Sequence, residues 1–310
     1  MPIISAVICT YKRADYLRQA LRSLCDQTVP HENYEVLVID NAGEADTERV
    51  VDEFRNTAVQ LRYVIENRVG LSHARNKGLA EAHGKYIAYL DDDARAESDW
   101  LKALVETFEK TNAAAIGGRV WLDWEGERPS WVPDNQLSLF TFVDHGDESR
   151  ALQNNEYLVG ANLAFDRNVL ISIGGFATNL GRQGAVLLSG EEAKALRQLR
   201  ERGLTVYYEP AALAWHSVHP SRKRPMWLLR RMFWDGASQP LLDQLHDTGS
   251  RRMLVRAAIS DVRQCLRWLL ALGVAMVSGQ KTRAFESLLG LFQKAGRVRT
   301  ELRMLAVSPN

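Results

Sequence analysis

Short β-branched runs alternate with stretches of helical periodicity through the first third of the chain, and each run ends in polar residues. Ile3–Cys9 has strand character, and Leu17, Leu21 and Leu24 then fall on one face of a helix. Glu35–Ile39 reads as a second strand followed by a polar helix from about Asp46, and Leu61–Ile65 as a third. Leu71, Ala74, Gly78 and Leu79 follow at helical spacing, and Tyr86–Leu90 forms a fourth strand that runs straight into three aspartates. Strands alternating with helices predict an α/β fold: a doubly wound, mostly parallel sheet flanked by helices. Such sheets bind ligands beyond the carboxyl ends of their strands. The clusters Thr10-Tyr11, Asp40-Asn41 and Asp91-Asp92-Asp93 all lie at such ends.

From about Trp121 to Glu156 the periodicity fades, which predicts a loop or insertion. Tyr157–Phe165 resumes as a strand, a helix covers about Glu191–Arg202, and Thr205–Tyr208 is a late strand. Beyond Pro220 only helical patterns remain, so a boundary is expected near residue 220, with an α/β domain over 1–220. An α-helical region then covers 221–310. That region carries 16 Lys+Arg against 6 Asp+Glu, while the whole chain is only +1. An overall charge so near zero predicts no nucleic-acid partner, whereas a basic tail on an acidic body points to an anionic surface.

Three cysteines without metal-like spacing fit a reducing, cytoplasmic compartment better than a disulfide framework. The N-terminus lacks the marks of a signal peptide. The longest apolar run, Trp268–Ser278, is shorter than the roughly 18 residues of a spanning helix. No glycine-rich fingerprint follows the first strand and no P-loop occurs, which argues against a dehydrogenase or a P-loop nucleotidase.

Three adjacent carboxylates at a strand end repel one another unless a cation sits among them. Hard oxygen ligands at that density suit Mg²⁺ or Mn²⁺; the bland alternative is a solvated turn. Glu191-Glu192 opens a helix, where a carboxylate either favours the helix dipole or takes a proton from a substrate hydroxyl. His216 and His219 lack the third ligand a zinc site would need.

The segments VICTYKR (7–13), VIDNA (38–42), ENRVGLSHARNKGL (66–79) and YIAYLDDDA (86–94), in that order, resemble family 2 glycosyltransferases of the GT-A fold. VGANLAF (159–165), GGF (174–176), LGRQGAVLLSGEE (180–192) and YYEPAALAWHSVHPSR (207–222) extend the likeness over roughly residues 3–240. It implies an inverting, nucleotide-sugar-dependent transferase whose catalytic domain has a nucleotide-sugar-binding half over 1–120 and an acceptor and catalytic half over 121–220. On that likeness Thr10, Tyr11 and Arg13 form the first donor loop, and Asp40 reads the base, usually uracil. The helix opened by Gly70 brings Arg75 near the diphosphate, and Asp91 and Asp92 approach the donor. Asp93, with Asp91 and His216, holds Mg²⁺ or Mn²⁺. The second of the two glutamates, Glu192, takes the base position, where the family more often has aspartate; Glu191 is the other candidate. Asn162 and Trp215 are candidates for orienting the acceptor, a glycan or a lipid-linked glycan. A nucleotidyltransferase and a non-catalytic carbohydrate-binding relative are the competing readings. For the basic tail two readings stand: a helical cap or dimer contact, or an interfacial helix pair on anionic lipid at the inner face of a membrane.

Overall fold

The computed structural model describes residues 1–132, 134–244 and 251–307. The chain divides into two compact units, Met1–Thr178 with Glu191–His219, and Asn179–Gly190 with Pro220–Asn310. The segment 179–190, which the sequence attaches to the first 220 residues, thus groups with the C-terminal region.

In the first unit β1 (Ile4–Thr10), α1 (Ala14–Cys25), β2 (Tyr34–Asp40), α2 (Ala45–Asp52), β3 (Gln60–Ile65), α3 (Leu71–Glu81) and β4 (Tyr86–Asp91) alternate as the periodicity predicts. There follow β5 (Ala94–Ala96), α4 (Trp100–Thr111), β6 (Ala115–Trp124), β7 (Arg150–Ala151), β8 (Asn162–Asp166), α5 (Arg167–Ser172), α6 (Glu191–Glu201) and β9 (Val206–Val218). The strands form one sheet in the order β3-β2-β1-β4-β8-β6-β9-β5, with β7 beside β9. The run β3 to β4 is parallel, β8 is antiparallel to both its neighbours, and β6 and β9 are parallel.

Strands covered on both faces read as near-continuous apolar runs. In β1 the side chains of Ile4, Ala6 and Ile8 enter one core with Leu17 and Leu21 of α1 and Trp100 and Leu104 of α4. Val7 points the other way, into a second core with Ala74 and Leu79 of α3 and Leu196 and Leu199 of α6. This period-2 alternation fixes register, and register places the polar ends. Thr10 pairs with Asp40 and Cys9 with Asp91, so the ends of β2, β1 and β4 lie side by side. Ala94 pairs with His216, which draws β9 to the same edge.

Three expectations change. The fading periodicity after Trp121 hides β6, which runs from Ala115 through Trp124. The strand expected over 157–165 is confined to Asn162–Asp166, and the late strand runs on to Val218.

The second unit contains α7 (Pro225–Gln244), α8 (Arg251–Val277) and α9 (Lys281–Val307). Helix α9 packs against both α7 and α8. Asp261 of α8, buried there, accepts hydrogen bonds from Lys294 at 2.8 Å and Arg297 at 2.7 Å on α9. No helix among the described residues is long and apolar enough to cross a membrane.

Candidate active site

The three aspartates at the end of β4 have three different environments. Asp92 is buried; one oxygen accepts the Thr10 hydroxyl at 2.9 Å and the other the Arg13 guanidinium at 3.2 Å. Burial, and next to it the charge of Asp93, pushes Asp92 up to about 6 against the pull of Arg13. Asp92 therefore anchors the loop after β1. The Thr10 hydroxyl is spent on the same bond. Arg13 also donates to Asp93 at 2.9 Å, and Tyr11, half-buried, is left at the loop surface.

Asp93 meets the His216 Nε2 at 3.3 Å. One donor atom each from Asp91, Asp93 and His216 lie within 4.8 Å of one another. Two carboxylate oxygens and an imidazole nitrogen at that separation fit a divalent cation such as Mn²⁺ or Mg²⁺. His219 instead sets its ring edge against Tyr16, 5.9 Å away.

Arg75 is the hub of the site. Its guanidinium is almost wholly buried, donates to Glu191 at 2.6 Å and reaches Asp91 at 3.4 Å. It lies 5.4 Å from the ring centre of Phe176 and 6.0 Å from that of Tyr89, an aromatic seat of the kind cations favour. Gly160 closes the remaining side: a Cβ there would come within 2.1 Å of Arg75 Nη2. The pairing joins the end of β4 to the first turn of α6. Burial, followed by the adjacent Glu192 charge, pushes Glu191 up to about 8, with Arg75 opposing. Glu192 is half-buried, and its Oε2 has no hydrogen-bond partner among the described residues.

Other expected contacts find different employment. Asp40 is wholly buried, and its oxygens accept the N–H groups of Ala42, Gly43 and Glu44 and the Tyr63 hydroxyl. Asp40 thereby holds the turn after β2 and ties it to β3. Gly70 donates its N–H to Asn41, which also ties down Glu66 and Arg68, so it braces the loop before α3. Asn162, also wholly buried, accepts from Trp100 and donates to the carbonyls of Arg119 and Ala212. Trp215 donates to Glu97 and packs edge-to-face on Trp121. Neighbouring strand residues point to opposite faces, so Trp215 turns away from the side where His216 meets Asp93.

Sequence reasoning overlooked Gly160 and Phe176, although both stand inside motifs it singled out, and it missed a cavity of about 490 Å³ beside α6. Asn154, Tyr157, Leu158, Arg197, Arg200 and Glu201 are among its walls, and the Tyr157 ring is exposed. No local signal marks it, because its walls come from two distant segments.

Acidic strand ends, a cation-sized donor set and a helix-borne carboxylate on a mixed α/β sheet fit the family that the sequence motifs resemble. Comparison with known proteins agrees. Residues 5–174 match the family described as Glycosyl transferase family 2. The chain is 32% identical over 256 residues to glucosyl-dolichyl phosphate glucuronosyltransferase of Haloferax volcanii, covering 80% of this chain and 79% of that protein. It is 30% identical over 231 residues to the succinoglycan biosynthesis protein ExoM of Rhizobium meliloti, covering 74% and 71%. The fold is shared with mannosyltransferase PcManGT from Pyrobaculum calidifontis, solved with GDP-Man and Mn²⁺, at a TM-score of 0.61 and 20% identity over 96% of this chain and 87% of that one. It is also shared with residues 1–349 of S. aureus TarS in complex with UDP, at a TM-score of 0.55 and 16% identity over 98% and 92%. The chain belongs to glycosyltransferase family 2 and has the GT-A fold. It is an enzyme of the glycosyltransferase class, and the nucleotidyltransferase and non-catalytic readings fall away.

Proposed function

We propose that this enzyme moves a sugar from a nucleoside-diphosphate donor, a UDP-sugar by family likeness, to a hydroxyl of a lipid-linked glycan, with inversion at the anomeric carbon. The observation that carries the reading is Arg75, whose single buried guanidinium ties the acidic end of β4 to the helix bearing Glu191-Glu192. Donor diphosphate and acceptor hydroxyl would then meet within one crevice.

In this reading Asp91, Asp93 and His216 hold Mn²⁺ or Mg²⁺, which when bound neutralises charge on the departing diphosphate. Arg13, released from Asp92 and Asp93, is available to a phosphate oxygen. Glu192 accepts the proton of the acceptor hydroxyl as that oxygen forms its bond to the anomeric carbon. The bond from that carbon to the diphosphate breaks in the same displacement, and the nucleoside diphosphate leaves. Arg75 holds Glu191 through Oε1, which makes Glu191 a positioning residue; each glutamate keeps an unpartnered Oε2, so it is Arg75's hold on Glu191 that favours Glu192 as the base.

The cavity beside α6 suits the body of the acceptor, with Tyr157 offering a ring to a sugar face and Arg197 and Arg200 facing anionic groups. The named acceptor-lipid relative from Haloferax volcanii supports a lipid-linked acceptor. Such a substrate sets the work of the enzyme in the cytoplasm, peripherally on the inner face of the membrane.

The test is nucleotide release from a panel of UDP-, GDP- and dTDP-sugars with Mn²⁺, in wild type and three variants. Glu192→Gln should slow transfer by roughly 10²–10⁴-fold with donor affinity little changed. Asp93→Ala should abolish cation-dependent donor binding in calorimetry. Wild-type donor affinity in Asp93→Ala would sink the metal assignment, and an inactive Glu191→Gln beside an active Glu192→Gln would move the base by one residue.

A further inference from the structure

Helix α8 is apolar on two faces, and the second unit uses only one of them. Ala258, Asp261 and Ala275 are buried, and Trp268 fills the space beside Gly290 of α9. On the other side Val255, Ile259, Val262, Leu266, Leu269, Leu270, Val274, Met276 and Val277 are all exposed. Their spacing of three and four residues makes a continuous stripe, which at 1.5 Å per residue is roughly 33 Å long. Exposure rises toward its end, to 72% at Leu270, 69% at Val274 and 93% at Val277. By contrast, Leu289 of α9 is buried and its neighbours Leu288, Leu291 and Phe292 are half-buried. The second apolar stretch of the tail is therefore interior, and the lipid-facing pair anticipated from sequence reduces to one helix.

The charges on α8 identify what covers the stripe. Arg252, Arg256, Arg263 and Arg267, at intervals of four, seven and four, are exposed and follow one margin of it. The single acid of α8, Asp261, is buried against Lys294 and Arg297 and contributes nothing outside. From Trp268 to Val277 there is no charge at all. A second copy of the chain laid on this stripe would bring arginines against arginines. An anionic bilayer supplies both missing complements: acyl chains for the stripe and phosphates for the guanidiniums, whose long stems let the heads reach the interface.

We propose that α8 is an in-plane membrane anchor that seats this enzyme on anionic phospholipid, with the uncharged end near Leu270–Val277 sunk deepest and the arginine margin at the phosphate level. The inference draws on the lipid-linked acceptor proposed above only for its purpose; the binding itself stands on the helix.

The full-length protein is sedimented with vesicles of phosphatidylglycerol and phosphatidylcholine, and with phosphatidylcholine alone, alongside Leu270→Asp/Val274→Asp and Arg263→Gln/Arg267→Gln. Wild type should pellet with anionic vesicles and come off as salt rises. The aspartate pair should stay in the supernatant, and the glutamine pair should lose roughly tenfold or more in partitioning. Nucleotide release from soluble donor should be unchanged in both, since both pairs belong to the second unit and the site residues to the first; its loss in wild type would tell against the transferase reading and leave the anchor standing. Equal recovery with both lipids, or an aspartate pair that still pellets, overturns the proposal. So does light scattering that shows a wild-type dimer made monomeric by the aspartate pair, which would identify a second copy as the occupant.

Discussion

Replacing Gly160 by alanine tests whether Arg75 joins the two halves of the site. A Cβ at that position lies 2.1 Å from Arg75 Nη2 and 2.7 Å from Cζ, closer than non-bonded atoms approach. The guanidinium must move, and its surroundings, Glu191 on one side and the rings of Phe176 and Tyr89 on the others, leave it no direction without loss. Gly160 does not sit at positive φ, so alanine adds no backbone strain of its own. Overpacking a core costs about 1–3 kcal/mol, and losing the buried charge-assisted bond to Glu191 adds about 1.5–3 kcal/mol. The sum, roughly 2.5–6 kcal/mol, corresponds to a fall in Tm of roughly 5–24 °C for a unit of this size. Transfer should fall with it, because Glu191 and the adjoining base lose their tether. Lysine at position 75 is slimmer than arginine, so Gly160→Ala with Arg75→Lys should cost less than the two single changes added together. Thermal unfolding by circular dichroism and nucleotide release on the four proteins complete the cycle. A Gly160→Ala enzyme that melts and turns over like wild type would refute the reasoning, as would strict additivity in the double variant.

Two further outcomes follow from the same geometry. In the second unit, burial and the nearby charge of Asp261 hold Glu301 up near 7, against the pull of Arg297. A folded-state value above the ordinary 4.5 means that its favourable contribution is complete below pH 4.5 and lost as pH rises through 7. Glu301→Gln should therefore be close to neutral at low pH and stabilising above pH 7 by up to about 3 kcal/mol at about 1.4 kcal/mol per unit. Denaturant midpoints that differ equally at both pH values would contradict it. At the cavity beside α6, Tyr157→Ala should raise the acceptor KM by roughly three- to tenfold, the worth of one aromatic contact, and leave the donor KM alone. A parallel rise in both would mean that the loop, and not the acceptor, had lost its support.

Much of the fold and part of the site could be read directly from the chain, because those features are local. Period-2 apolar runs ending in polar clusters specify β1 to β4, and with them the crevice at their carboxyl ends. Crowded carboxylates at Asp91-Asp92-Asp93 announce a charge that needs a partner, and Glu191-Glu192 marks a helix start facing the same region. What the chain could not reveal depends on contacts between distant segments. β6, which the apolar periodicity does not mark, contains Gly117 and Gly118. Folded, they are required, since Leu158 and the Ala212 carbonyl occupy the space their side chains would fill. Asp40, Asn162 and Asp92 could be picked out by type and position, but their bonds to Tyr63, Trp100 and Thr10 join distant segments and only the tertiary structure shows them. Arg75 was visible as a cation, but not its role as a bridge, because its partners Asp91 and Glu191 stand 16 and 116 residues away. The tail shows the same division. Composition revealed two apolar stretches beside arginines, and the choice between interior and surface was made by packing: α9, packed against α7 and α8, buries Leu289 and half-buries Leu288, Leu291 and Phe292, while α8, packed against α9, leaves a stripe in the open.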